Sequence, residues 1–334
     1  MKIIRLYFIA VLGFLIFPPE SFKAQDPHFS QFYSNKLYLN PAFAGSNKCP
    51  RLTVNYRNQW PALGTVYETY SASYDQHVRE LEGGVGILLI NDRQGGGAIN
   101  TTVVSGMYSY TLPVTRTLQI TGGFQATYMQ KKLNWDFIFP DMIHPLYGAI
   151  YSTLEDRNKY DTHIGIWDFS AGFLAYTRKY FFGFATHHLT EPQESWQDAH
   201  QAVLPRKWTV HFGTEINLPS RRFRRGELKL APNIIFQQQQ NYQQVNYGVY
   251  LDRNSIVGGI YMRHNVFGQL APHADSFIML LGFKQGPYSF CYSYDLTVSK
   301  LKNSTLGAHE ISFSMGFPCR TKPIGFRPVV CPAY

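Results

Sequence analysis

Past its first two dozen residues the 334-residue chain has no run of about 18 apolar residues free of charge. That absence excludes a transmembrane helix, and with it every helical membrane fold. Charge is sparse, with Asp, Glu, Lys and Arg making up 16% of the residues. Cysteine is rarer: Cys49, Cys291, Cys319 and Cys331 match no zinc-binding or thioredoxin-type spacing. What is plentiful is aromatic and small, with 23 Tyr, 25 Phe and 27 Gly. The mean hydropathy of -0.21 looks soluble. A β-barrel, the one other structure that satisfies its backbone inside a bilayer, has this average because half of each strand is polar.

The chain opens with Met1-Lys2-Ile3-Ile4-Arg5 and runs apolar from Leu6 to Phe17 before Pro18-Pro19. This is the order of a secretory signal peptide, with cleavage expected after Ala24. An exported chain can form disulfides. Cys319 and Cys331 bracket a Pro-rich tail and are the expected pair, with Cys49 and Cys291 free. The net charge of +9 raises the question of anionic partners. The basic residues are scattered except in Arg221-Arg222-Phe223-Arg224-Arg225, which reads as a solvated turn or a contact for lipid head groups. An exported protein is not expected to meet nucleic acid.

From about residue 51 apolar and aromatic residues alternate with polar or small ones in segments of about ten. Trp208, Val210, Phe212, Ile216 and Leu218 share one face, while Thr209, His211, Glu215 and Asn217 share the other. The same holds for Tyr288, Phe290, Tyr292, Tyr294 and Leu296, and for Ile311, Phe313, Met315 and Phe317. The spacing predicts 14 strands, near 51-60, 67-78, 83-93, 97-111, 116-132, 165-177, 179-188, 206-217, 226-240, 242-252, 255-265, 275-285, 286-296 and 307-317. Connections alternate short and long, with 133-164 and 189-205 the longest. The expected fold is therefore all-β: a transmembrane antiparallel barrel with long extracellular loops and both terminal segments periplasmic. Its divisions are a signal peptide (1-24), a periplasmic or plug segment (25-50), the barrel (51-317) and a periplasmic extension (318-334).

Signs of catalysis are weak. His187-His188 has no third ligand at helical or hairpin spacing, so a lumen-facing pair is expected rather than a metal site. His211 belongs to no hydrolase motif. Gly83-Gly84-Val85-Gly86 lies within a strand and opens no helix, so it reads as a place for strand bending or close packing and not as a phosphate loop. No enzyme activity, cofactor or metal is expected.

The order Gln25-Asp26-Pro27-His28-Phe29-Ser30-Gln31-Phe32-Tyr33, then Leu39-Asn40-Pro41-Ala42-Phe43-Ala44-Gly45, then Tyr56-Arg57-Asn58-Gln59-Trp60, resembles the PorP/SprF-like family of type IX secretion outer-membrane proteins of the Bacteroidota. Ile90-Asn91-Asp92-Arg93, the run Ser293 to Leu301 and Gly307-Ala308-His309-Glu310-Ile311-Ser312 extend the resemblance along nearly all of the mature chain. It implies a non-enzymatic barrel that helps a secreted surface cargo, such as a large adhesin bearing a C-terminal sorting domain, reach or stay on the cell surface. The implied partners are that cargo, type IX machinery or a periplasmic lipoprotein, and outer-membrane lipid. Candidate partner-binding residues are Asn40, Pro41, Phe43 and Gly45 in the N-terminal segment. Trp135, Phe137, Tyr147 and Trp196 in the two long loops complete the set. The segment 25-50 is read as a structural plug or a docking site, and the Pro-rich tail as an extended contact or a free end. The rival function is a diffusion channel or transporter for small or hydrophobic solutes.

Overall fold

A computed structural model describes residues 26–47, 49–64, 67–135, 138–156, 158, 160–196, 202–218, 228–253, 255–267, 273–298 and 305–319. Its strands are β1 (Arg51–Gln59), β2 (Tyr67–Val78), β3 (Gly83–Gln94), β4 (Ile99–Pro113), β5 (Gln119–Leu133), β6 (His163–Tyr176) and β7 (Tyr180–His187). Next come β8 (Lys207–Thr214, resumed as Ile216–Leu218), β9 (Leu228–Gln239), β10 (Tyr242–Arg253), β11 (Ile256–Phe267), β12 (His273–Gln285), β13 (Tyr288–Thr297) and β14 (Ala308–Gly316). Each strand pairs antiparallel with its neighbours in sequence, and β1 closes on β14 from Arg51↔Gly316 to Gln59↔Ala308. The result is a closed 14-stranded barrel.

Burial shows why this alternation makes a barrel and not a soluble sandwich. The polar face is the hidden one: Thr209 and His211 on β8, and Glu310 and Ser312 on β14, are buried, while Trp208, Phe212, Ile311 and Phe313 are exposed. Water-soluble folds invert this order. Aromatic pairs mark two rims of the apolar belt, Trp60–Tyr67 and Tyr128–Trp167 at one and Tyr180–Phe212 and Tyr288–Phe313 at the other.

Local chemistry moves several expected boundaries. Strand β4 starts at Ile99, two residues late, because Gly95, Gly96 and Gly97 all take positive φ in the preceding turn. Strand β8 breaks at Glu215, whose N–H donates to the Lys179 carbonyl. The long connection after β5 holds a two-residue hairpin, Ile143–His144 with Gly148–Ala149, that alternation did not predict.

The expected Cys319–Cys331 disulfide is not what forms. Cys319 is bonded to Cys49, with Cα atoms 4.9 Å apart and 270 residues between them in sequence. The β1–β14 seam explains the choice. The Phe317 N–H donates to the Pro50 carbonyl at 2.8 Å, so the lead-in to the first strand and the exit from the last run side by side. Cys291 is free and buried on β13. Cys331, the arginine cluster at 221-225 and residues 1-24, the expected signal peptide, lie outside the described residues.

Candidate functional site

The barrel is filled by its own N-terminal segment. Residues 29 to 44 are buried almost without a break, from Phe29, Phe32 and Tyr33 through Leu37 and Leu39 to Phe43 and Ala44. The segment starts at the rim that carries the long connections, where Asp26 meets His188 after β7 and Lys207 at the start of β8. It ends at the opposite rim, where Gly45 packs on β2 and β3 and the chain turns into β1.

A one-turn helix, Lys36–Leu39, delivers Asn40 to the wall. Asn40 caps the short 3-10 turn Pro41–Phe43, its Oδ1 accepting from the Ala42 N–H at 2.9 Å. Its Nδ2 reaches the Phe173 carbonyl of β6 (3.1 Å), the Phe184 carbonyl of β7 (3.2 Å) and His211 Nε2 of β8 (3.2 Å). One amide therefore ties the plug to three strands. Phe43 stacks on His211 with ring centroids 5.4 Å apart. Beneath this element the wall is floored with glycine. A Cβ on Gly84 would lie 2.3 Å from the Ala44 carbonyl oxygen, on Gly123 2.3 Å from the Ala42 nitrogen, and on Gly172 2.2 Å from Asn40 Oδ1. Of the glycines in the Gly83-Gly84-Val85-Gly86 run, Gly84 and Gly86 lie against the plug, at Ala44 and Leu37, while Gly83 lies against the Ser109 backbone of β4. Gly45, at φ +62°, has no room for a side chain either.

Two charged clusters hold the upper part of the segment. In the first, Arg57 of β1 bonds Asp295 of β13 (2.9 Å) and Glu310 of β14 (3.2 Å), and Arg263 of β11 bonds Asp295 (3.1 Å). The plug completes it. The Ser30 and Gln31 N–H groups donate to the two oxygens of Glu310 at 2.7 and 3.2 Å, and Ser30 Oγ accepts from both arginines. Four separate sequence motifs, around Ser30, Arg57, Asp295 and Glu310, meet at this one point.

In the second cluster His188 sits between carboxylates, Nδ1 at 2.9 Å from Asp168 and Nε2 at 2.9 Å from Asp26. Burial disfavours the imidazolium, but Asp26 and Asp168 outweigh it and raise the His188 pKa to about 9. Burial would likewise lift the Asp26 carboxyl, yet His188 and Lys207 hold it well below the ordinary carboxylate range. Lys131 pairs with Glu194 from the connection between β7 and β8. Among the described residues no group of His, Cys, Asp and Glu is arranged to hold a metal ion. His211, packed by Tyr33, Phe43 and Phe181, has no carboxylate or hydroxyl partner there that would activate it as a catalytic base.

Of the candidate contact residues, Asn40, Pro41, Phe43 and Gly45 come together inside the lumen. The described loop aromatics make separate contacts. Trp135 packs with Phe139 and Tyr160, while Tyr147 lies exposed against His144. Trp196 lies beside the lead-in to β6, its carbonyl accepting from the Asp161 N–H. Phe137 lies outside the described residues. The ion clusters were not anticipated, although Arg57, Asp295 and Glu310 occupy the polar phase of their strands, where a buried charge requires a partner.

These features define a class: an outer-membrane β-barrel whose lumen is occupied by an N-terminal plug. Residues 21–315 match the family described as type IX secretion system membrane protein PorP/SprF, and the chain belongs to that family. It is an outer-membrane protein. No curated protein matches the sequence significantly. Solved structures with a similar fold include the Ralstonia pickettii toluene transporter TbuX (9% identity, TM-score 0.46, 84% of this chain and 93% of that one). Another is a Pseudomonas aeruginosa FadL homologue (13% identity, TM-score 0.39, 84% and 93%).

Proposed function

We propose that this barrel is a non-enzymatic component of type IX secretion that helps a large surface cargo, bearing a C-terminal sorting domain, to reach or stay on the cell surface. The observation that supports this reading is the filled lumen. A segment buried from Phe29 to Ala44 and bonded to β1, β6, β7, β8, β11, β13 and β14 leaves the barrel little use as an open conduit. The working surfaces are then its rims. In this reading residues 1-24 are a cleaved signal peptide. The rim with the long connections faces outward and offers Trp135, Phe137, Tyr147 and Trp196 to the cargo. The opposite rim and the tail 318-334 face the periplasm and meet secretion machinery or a periplasmic lipoprotein.

The test is deletion of the gene, with complementation by the wild type and by a variant carrying Trp135→Ala, Tyr147→Ala and Trp196→Ala. Loss of cargo from the surface on deletion, restored by the wild type and not by the triple variant, supports the reading. Unchanged surface display on deletion overturns it. So does a steady open pore in planar bilayers, which favours the solute channel.

A further inference from the structure

On its outer surface the barrel carries a row of nitrogen-bearing side chains just beyond the apolar belt. The strand register sets Arg93 of β3 opposite Asn100 of β4, Asn100 opposite Lys132 of β5, and Lys132 opposite His163 of β6. Directly opposed residues share a face of the sheet. Here it is the lipid-facing one: Arg93, Lys132 and His163 are exposed, whereas the preceding residues Asp92 and Lys131 turn into the lumen. Four residues along the same strands, on the same face and again in register, stand Leu89, Val104, Tyr128 and Trp167, all exposed. A strand rises about 3.4 Å per residue and a barrel strand tilts by about 45°, so Lys132 stands roughly 10 Å above Tyr128. The aromatic rim marks the edge of the hydrocarbon, and the head-group layer extends about 5–8 Å beyond it. A Lys or Arg side chain that bends along the wall reaches into that layer.

The charges of this row are not spent within the protein. Lys132 has no ion pair among the described residues, whereas Lys131 is bonded to Glu194. Arg93 has Glu68 only at 3.9 Å, and that carboxylate also accepts from the Tyr56 hydroxyl at 3.0 Å. Asn100 Oδ1 accepts from Asn91 at 2.8 Å, which leaves the Asn100 amide hydrogens as donors between the two cations. With strands about 4.8 Å apart, Arg93 and Lys132 sit roughly 10 Å from each other. The face therefore presents two cations and a neutral donor directly above an apolar patch.

We propose that this face holds one phosphate-bearing lipid of the membrane, its acyl chains on Leu89, Val104, Tyr128 and Trp167 and its phosphate among Arg93, Asn100 and Lys132. Arginine gives an anionic phosphate a forked contact, and lysine gives it a point charge. The inference rests on the membrane-spanning fold and not on the secretion reading, and its test involves no cargo.

Native mass spectrometry of the folded full-length barrel, released from detergent micelles, tests it with two lipids of identical chains. Dioleoyl phosphatidic acid carries the phosphate, and dioleoylglycerol does not. One phosphatidic acid should be retained per barrel, tighter than dioleoylglycerol by roughly thirtyfold, from about fivefold for each cation. Arg93→Gln combined with Lys132→Gln should remove most of that difference. Arg178→Gln combined with Lys179→Gln, in the exposed turn before β7, removes the same charge from the opposite rim and should leave the difference unchanged. Inorganic phosphate at the concentration of the lipid should not displace it. The proposal is overturned by equal retention of the two lipids, by equal losses in the two double variants, or by displacement with inorganic phosphate. If the Arg93 and Lys132 variant does not fold, Lys132→Gln alone decides: a loss of roughly fivefold is expected, and wild-type affinity overturns the proposal.

Discussion

Replacing Arg57 by Met removes one member of a buried set of two cations and two carboxylates. Asp295 keeps Arg263 at 3.1 Å, but Glu310 is left with only the Ser30 and Gln31 amides. The count of formal charges among Arg57, Arg263, Asp295 and Glu310 goes from zero to minus one. Four hydrogen bonds donated by Arg57 are lost, to Ser30 Oγ (2.8 Å), Glu310 (3.2 Å), Asp295 (2.9 Å) and His28 Nε2 (3.4 Å). Breaking a buried pair from one side costs about 3–5 kcal/mol, most of it from the charge left behind. Adding Glu310→Gln returns the count to zero, so the double variant should be more stable than the sum of the single losses implies, with a coupling of about 1.5–3 kcal/mol. The assay is guanidinium unfolding in lipid vesicles followed by tryptophan emission, with the wild type and the three variants forming a double-mutant cycle. A loss below about 1 kcal/mol for Arg57→Met, or strictly additive losses, would refute the reasoning.

Two further outcomes follow from the plug. Gly84→Val places a side chain where the Ala44 carbonyl sits, so the Asn40 element must lift from the wall; this should cost about 1–3 kcal/mol and open residues 36-45 to added protease, read by mass spectrometry. The pH dependence has a definite sign at His188. Its pKa is raised from 6.5 to about 9, so its stabilising contribution is complete below about 6.5 and fades as pH rises through about 9. That contribution is about 3 kcal/mol. The wild type should therefore lose stability between pH 7 and 10, and a His188→Gln variant should lose much less over that range. Parallel unfolding curves for the two proteins would contradict the assignment.

Most of the wall was legible because alternation is a local property: each of Trp208, Thr209, Val210 and His211 declares its face through its own chemistry. The Cys49–Cys319 bond was not, because its partners are 270 residues apart and become neighbours only once β1 closes on β14. Judged locally, Cys319 has Cys331 as its nearest partner in the chain. Asn40, Pro41, Phe43 and Gly45 were found through their motif, but their contacts depend on Gly84, Gly123 and Gly172, which three other strands supply. The Asp295 cluster was half legible. Parity places Arg57, Asp295 and Glu310 inside the barrel, whereas their convergence on Ser30 requires knowing which strands flank the seam and that the first segment returns through the lumen.

That convergence bears on how the barrel is made. Arg57, Asp295 and Glu310 come from β1, β13 and β14, the strands at the seam where the first strand pairs with the last, and the backbone amides of Ser30 and Gln31 donate to Glu310. A cylinder that shut empty would bury three charges lacking part of their hydrogen bonding, and would confront a 20-residue segment with a closed wall. In the finished barrel, closure and filling are therefore one hydrogen-bonded unit, with the plug's amides and the β1–β14 seam sharing the same side chains.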